Sequence, residues 1–264
     1  VYLRPVDTAS LPLFDHGQLR KRWRYVGVFA DDVMLCAARA EVGPLTQSFW
    51  VLLDRGTGQQ WAHTALRPGS KEVTLDGPRL AIDGPGLHAS LRLGEGEPIE
   101  TTCPSGRALA WTRKRVGMRV EGKIEIPGRC WEVFGRGVDD ESAGHHQRHT
   151  SWRWSAGIGR GADGRDLAWN LVEGVNDPPQ DSERAVWIDG APSEPSPVRF
   201  RPKAIEFGKG ERLDFHGESE HVHNENYLLI RSNYRHQFGS FSGSLAGVKL
   251  AQGLGVMEEH DALW

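Results

Sequence analysis

The chain has 264 residues, 32 Lys and Arg against 35 Asp and Glu, and a net charge of -3 with acids and bases interspersed. That length suffices for one large β domain or two smaller ones with a sizeable core, and the only basic run, Arg113, Lys114 and Arg115, is too short to follow a phosphate backbone, so nucleic acid is not an expected partner. No apolar run approaches the roughly 20 residues that cross a bilayer, so no stable membrane insertion is expected.

Cys36, Cys103 and Cys130 are widely spaced and odd in number, which suggests neither a disulfide framework nor a metal clip and fits a reducing cytoplasm. No charged-then-apolar leader opens the chain, although a first residue of Val leaves a removed leader open. Short β-prone runs then follow one another between turn signals. Before residue 135 these are "RWRYVGVFA", "VMLCAARAEV", "QSFWVLLD", "KEVTLD", "LHASLRL", "RALAWTRK", "GMRVEGKIEI" and "CWEVFG". After it come "HTSWRWSAGIG", "RDLAWNLVEG", "RAVWIDG", "KAIEFG", "RLDFHG" and "ENYLLIRSNYRHQFGSFSG". This spacing is that of an all-β sandwich or barrel, not of alternating strands and helices. The turns "DRGTG", "DGP", "ADGR" and "IDGAP" supply the positive-φ residues that tight hairpins need. "GRGVDD", residues 135–140, is expected to join two halves, 1–135 and 136–264, and no repeat between them stands out. The segment Pro192 to Pro202, with four prolines in eleven residues, is expected to be an ordered surface loop.

Asp163-Gly164 reads as the turn of a two-residue hairpin. That register sets Trp154 opposite Glu173, Ala156 opposite Leu171 and Ile158 opposite Trp169. One face then holds Trp152, Trp154, Trp169 and Glu173, and the other holds His149, Arg153, Asn170 and Asn176. Two readings of Glu173 stand: a carboxylate at the rim of an ordinary half-buried sheet, or a group inside a tryptophan-lined cavity, where desolvation would raise its pKa and suit it to act as a general acid.

The stretch "DDESAGHHQRHTSWRW", residues 139–154, gathers three acids, three histidines, two arginines and two tryptophans. Acids and imidazoles at this density are what proton transfer near neutral pH uses, so the stretch reads as a ligand-facing site in preference to an exposed acidic turn. Asp140 and His149 are its candidate proton-transfer groups, with His145 and Arg153 as ligand contacts. A metal site is not expected. His145 and His149 have i,i+4 spacing without the Glu of a zinc-protease motif, and Glu225 follows "HVH" at 221–223 too early for the usual ligand spacing. There is no Gly-x-Ser-x-Gly elbow and no phosphate loop, since "GIGRGADG" reads as a hairpin. The C-terminal "GVMEEHDALW" reads locally as a charged, solvated chain end.

At "DDESAGHHQRHTSWRWSAGIG", "LAWNLVEGVND", "SERAVWIDG", "FGSFSG" and "GVMEEHDALW" the chain resembles the bacterial family of domain-of-unknown-function 2804, over most of its length. The family looks, more distantly, like the tandem lipocalin-type proteins that include carotenoid hydratases and cyclases. The resemblance implies two consecutive lipocalin-like, calycin-type antiparallel β-barrels or sandwiches. It also implies proton-assisted hydration, isomerisation or cyclisation of a small apolar, unsaturated ligand without a cofactor. The runs that match are Asp140 to Trp154, Trp169 to Asp177, and Glu258 to His260, which adds Glu258 to the ligand-facing candidates.

The expected function is therefore a cofactor-independent lyase, isomerase or cyclase. Glu173 or Asp140 is the acid, His149 relays the proton, Trp152, Trp154 and Trp169 shape the cavity, and Asn170 and Asn176 orient the ligand. The alternative is a lipocalin-like carrier that uses the same cavity without chemistry.

Overall fold

Alternation of apolar and polar residues sets the strands. In Leu87–Leu93, "LHASLRL", Leu87, Ala89, Leu91 and Leu93 are buried while His88, Ser90 and Arg92 are exposed, the period-2 signature of a strand with one face on a core. In the computed structural model, which describes residues 8, 10–66, 71–227 and 230–263, such strands make up most of the described residues, whose one helical piece is the single 3-10 turn Gly208–Gly210. Among the described residues no helix is long and apolar enough to cross a membrane.

Apart from the small pair Phe14–Asp15 and Gln18–Leu19, the strands form two ten-stranded antiparallel sheets. The first runs, in spatial order, Gln59–Leu66, Leu45–Asp54, Val33–Val42, Lys21–Phe29, Arg129–Gly144, Ala108–Ile126, Leu87–Leu93, Arg79–Gly84 and Val73–Asp76, with Ile99–Ser105 also paired to Ala108–Ile126. The second runs Ala191–Ser193, Ala185–Ile188, Asp166–Glu173, His149–Gly161, Val248–Leu263, Ile230–Leu245, Arg212–Gly217, Ala204–Glu206 and Arg199–Arg201, with His221–Tyr227 also paired to Ile230–Leu245. The two orders are one topology used twice. Four strands are laid down in a meander, and the rest return from the far edge until the last strand pairs with the first. The chain is a pair of consecutive lipocalin-like β halves. They meet between Gly144 and His149; the expected joint at 135/136 falls inside Arg129–Gly144, which continues in the first sheet as the partner of Lys21–Phe29.

Each sheet has two apolar faces. One curls around the half's own core, Val26, Val28, Leu35, Trp50 and Leu80 among others in the first half, and Trp169, Leu171, Val186, Phe200 and Leu213 in the second. The other faces pack on each other through Tyr25, Phe29, Met34, Val51 and Val138 on one side and Trp154, Ala168, Val172, Phe238 and Val256 on the other. A cavity lies in this third layer, between the halves.

The hairpin register differs from the sequence expectation by one residue. Trp154 pairs with Val172, Ala156 with Asn170 and Ile158 with Ala168, while Glu173 pairs with Arg153. The turn is a three-residue loop. Gly161 N–H donates to Arg165 O at 2.8 Å, Gly164 N–H donates to Gly161 O at 2.9 Å, and Gly164 takes a left-handed φ of 87°. This is the longer hairpin connection in which glycine occupies the left-handed position. A slip of one residue sends each partner side chain to the opposite face, so Trp169, Leu171 and Glu173 turn away from Trp154.

Candidate functional site

Residues paired across adjacent strands point to the same side of a sheet. Tyr25 pairs with Asp140, and Asp140 with Lys114; Trp154 pairs with Glu258, and Glu258 with His236. Both rows face the layer between the halves. Tyr25, Asp140, Lys114, Trp154 and Glu258 border, with Trp23, Phe49, Trp152, Tyr234 and His260, a cavity of about 130 Å³, whose remaining wall includes Asn176, Glu183, His221 and His223; His236 is buried behind Glu258. The volume is of the order of an engineered apolar cavity of about 150 Å³ that holds benzene.

The walls are aromatic. Trp23 and Trp152 lie nearly parallel with centroids 6.2 Å apart, Tyr25 meets Trp154 edge-on at 5.2 Å, and Phe49 lies 5.5 Å from Tyr234. Lys114, Asp140, Glu183 and Asn176 form a connected polar cluster in the lining. Lys114, 2% exposed, places Nζ 2.7 Å from Asp140 Oδ1 and 3.3 Å from Glu183 Oε1. Glu183 is held by Asn176 Nδ2 at 2.9 Å, and its carbonyl accepts from Asn170 Nδ2 at 2.7 Å. Asn170 Oδ1 in turn accepts from Trp154 Nε1 at 2.8 Å, which fixes that ring. The loop carrying Glu183 is pinned by the buried Arg184, which donates to the Asp177 carboxylate and to the Pro178 carbonyl. Glu258, 7% exposed, accepts a 2.6 Å hydrogen bond from Tyr234 on Oε1.

Asp140 and Glu183 thus share the Lys114 ammonium, while Glu258 has no lysine or arginine in contact among the described residues, and taking an unpaired carboxylate out of water costs several kcal/mol. Some of these carboxyls must hold protons. Burial pushes Glu258 up to about 8, against the smaller pull of the Tyr234 hydrogen bond. Burial also lifts Asp140, to about 6, with Lys114 opposing it. Burial pulls Lys114 down, but Asp140 and Glu183 more than compensate and hold it above the ordinary lysine value. His236 and His260 are neutral near pH 7, since burial lowers them to about 3 and about 4. A protonated carboxyl and an ionised carboxyl in one aromatic cavity are a proton donor and a proton acceptor around one ligand.

The profile of a family described as "Domain of unknown function (DUF2804)" matches residues 66–264. The chain belongs to this family. No curated protein sequence matches this DUF2804 chain significantly. Solved structures do match it in fold. A candidate AttH from Nitrosomonas europaea has 13% identity and a TM-score of 0.58, covering 91% of this chain and 92% of that one. Kievitone hydratase from Nectria haematococca has 11% identity and a TM-score of 0.60, covering 90% and 88%. CghA has 10% identity and a TM-score of 0.56, covering 92% and 87%. At these identities the likeness is one of fold.

Of the residues singled out in this DUF2804 sequence, the structure brings Asp140, Trp152, Trp154, Asn176 and Glu258 to the cavity, with Asn170 directly behind Trp154. Others lie elsewhere. Glu173 accepts the Phe200 backbone N–H at 3.0 Å, joining Asp166–Glu173 to Arg199–Arg201 at the far edge of the second sheet. Trp169 is buried in the core of the second half, with Nε1 donating to Ser155 Oγ at 3.1 Å. Both corrections follow from the one-residue register shift. His149 is exposed and paired with Asp261 at 2.8 Å; Arg153 is exposed and paired with Glu259 at 2.7 Å. His145 bonds Pro12 O through Nε2 at 2.9 Å, away from the cavity. Among the described residues no group of three His, Cys, Asp or Glu is placed to hold a metal ion.

Sequence reasoning passed over Lys114, Glu183, Tyr25, Tyr234 and His236. Lys114 stands within the short basic run Arg113 to Arg115, yet strand alternation in "WTRKRVG" sets Thr112, Lys114 and Val116 on one face and Arg113 and Arg115 on the other. That period was the available signal. Glu183 sits in a loop and carries none.

Proposed function

We propose that the cavity is the active site of a cofactor-independent lyase, isomerase or cyclase that transfers a proton to an unsaturated carbon of a small, apolar, ring-sized ligand. One observation carries the reading: two buried carboxyl groups face the same aromatic cavity, one ion-paired with Lys114 and the other without a cation in contact among the described residues. Glu258 is the acid. Its Oε1 is occupied by Tyr234, and no other described residue hydrogen-bonds Oε2, which is the oxygen able to deliver a proton. Protonating a carbon-carbon double bond develops positive charge, which the faces of Trp23, Trp152 and Trp154 can stabilise. Asp140, held ionised beside Lys114, takes a proton from the attacking water or from the neighbouring carbon. The fold likeness to a kievitone hydratase is in keeping with this reading but does not carry it.

The test is proton exchange between solvent and bound alkene. Wild-type protein incubated in deuterium oxide with styrene, 4-hydroxystyrene or a cyclic alkene of similar size is expected to place deuterium on carbon in at least one of them. Glu258→Gln, which nearly preserves volume, is expected to lower that exchange by about 100-fold or more, the usual scale of a lost general acid. If ligands bind and shift tryptophan emission while neither wild type nor variant exchanges or converts any of them, the cavity belongs to a carrier.

A further inference from the structure

The two halves share a topology, and at the centre of each sheet they also share residues. Trp23-Arg24-Tyr25 corresponds to Trp152-Arg153-Trp154. Gly137-Val138-Asp139-Asp140-Glu141 corresponds to Gly255-Val256-Met257-Glu258-Glu259, and Thr112-Arg113-Lys114 to Tyr234-Arg235-His236. The registers agree across all three strands: Tyr25, Asp140 and Lys114 form one row, and Trp154, Glu258 and His236 the other. The next row agrees as well. Glu141 lies between Arg24 at 3.2 Å and Arg113 at 3.0 Å, and Glu259 between Arg153 at 2.7 Å and Arg235 at 3.9 Å. Equivalent rings also meet each other, Trp23 on Trp152 and Tyr25 on Trp154. Asp140 and Glu258 are therefore one carboxyl position occurring twice, on two sheets that face each other.

What breaks the equivalence is the third strand. Lys114 puts an ammonium 2.7 Å from Asp140. Its counterpart His236 is wholly buried, is bonded through Nε2 to Tyr25 OH at 3.1 Å, and stands 3.8 Å from Glu258 Oε1. The titratable groups around Glu258 are His260 two residues along its own strand, Tyr234 and His236 on the adjacent strand, Tyr25 and Cys36 from the first half, and, farther away, Asp140 and Lys114. Except for Lys114, which is already shared by Asp140 and Glu183, none is a cation at neutral pH. Burial keeps the His236 imidazole uncharged.

We propose that His236 is the positioning residue that leaves the proton on Glu258, and that the Lys-or-His choice at this duplicated position divides two equivalent carboxyl groups into a base and an acid. A lysine fixed against a buried carboxyl makes the charged pair the stable state; a neutral imidazole in the same place supplies no charge, so the carboxyl retains its proton to escape burial as an anion. This rests on the acid role given above to Glu258, and it names the residue that sets that role.

The experiment uses infrared spectroscopy on ligand-free protein, reading the C=O band of protonated carboxyl groups at pH 7. Wild type is expected to show a band that Glu258→Gln removes. His236→Lys is expected to remove the same band, and His236→Gln, neutral and able to hydrogen-bond Tyr25, to keep it. A folded His236→Lys protein that keeps the band overturns the proposal, as does its loss in His236→Gln. Should His236→Lys fail to fold, Lys114→Gln decides: it is expected to gain protonated-carboxyl absorbance, because Asp140 and Glu183 lose their shared cation, and an unchanged spectrum overturns the proposal. If the bands behave as expected while Glu258→Gln leaves exchange intact, the proposed reaction fails and the division of charge stands. If Glu258→Gln abolishes exchange while His236→Lys keeps the band, this inference alone fails.

Discussion

Trp23 and Trp152 lie face to face between the two halves, their planes 8° apart and their centroids 6.2 Å apart, each at the same place in its own sheet. His146 packs on Trp23 at 4.6 Å and His260 on Trp152 at 4.3 Å, so the pair is braced from both sides. Both rings border the cavity. Replacing Trp152 by Leu is expected to weaken binding of a ring-sized apolar ligand by about tenfold, the scale of a lost aromatic contact, and to reduce the ligand-induced change in tryptophan emission. Unchanged affinity by calorimetric titration would remove this wall from the site.

Glu173 and Trp169 are expected to matter for stability and not for chemistry. Glu173→Gln should leave exchange and turnover as in wild type and cost about 1 kcal/mol through the weakened bond to Phe200 N–H. Trp169→Ala should cost about 3–5 kcal/mol, because the ring is wholly buried in the second core. Urea unfolding followed by circular dichroism measures both. A large drop in turnover from folded Glu173→Gln would return the acid to that strand.

Activity should follow a bell-shaped pH profile. Asp140, raised by burial to about 6, must be ionised to accept a proton, and Glu258, raised by burial to about 8, must keep its own. The optimum therefore lies between these values, with the alkaline limb belonging to Glu258. In Glu258→Asp, if turnover survives, that limb should move; a limb that stays fixed belongs to another group.

The same shift sets a slope in stability. Glu258 has an ordinary value of 4.5 when unfolded and about 8 when folded. Above 4.5 the folded state binds the extra proton, so the stability this group contributes is complete below that pH and is lost as pH rises through about 8. His236, lowered to about 3 from 6.5, acts in the opposite sense, contributing stability above 6.5 that is lost as pH falls towards 3. Glu258→Gln is expected to gain stability relative to wild type as pH rises from 5 to 9. A difference in unfolding free energy that stays constant over that range would show that Glu258 titrates alike in both states.

Ligand charge should discriminate strongly. Three carboxyl groups line the cavity, its lysine is already committed to two of them, and Trp23, Tyr25, Phe49, Trp152, Trp154 and Tyr234 add π faces. Benzoate is therefore expected to show no saturable binding where its near-isosteres tert-butylbenzene and phenyltrimethylammonium bind, and the ammonium should bind more tightly as pH rises through 8 and Glu258 ionises. Benzoate binding as tightly as the others would mean that the cavity stabilises anions, and would favour chemistry through an enolate.

Strand period and turn chemistry sufficed for the all-β class, and Asp140, Trp152, Trp154, Asn176 and Glu258, singled out from local composition and family resemblance, all border one cavity. Alternation within one strand is enough to put Trp152 and Trp154 on one face, because it depends on residues two apart; it set Asn176 on the opposite face, whereas Asn176 lies beyond Asp166–Glu173, takes a left-handed φ of 51° and reaches the same cavity. What needed the tertiary structure was every statement about partners. The one-residue difference between a two-residue and a three-residue turn at Gly164 decided whether Glu173 or Val172 lies beside Trp154, and a period of 2 turns so small a slip into a change of face. The duplication was hidden for a similar reason: its matching residues are spread over three strands about 120 residues apart, and only their cross-strand rows, long-range by nature, align them. Lys114 and His236 then differ in one feature no local pattern records, the distance to a carboxyl group on the next strand, 2.7 Å for one and 3.8 Å for the other. In a buried site that distance, together with the charge at its end, decides which acid keeps its proton.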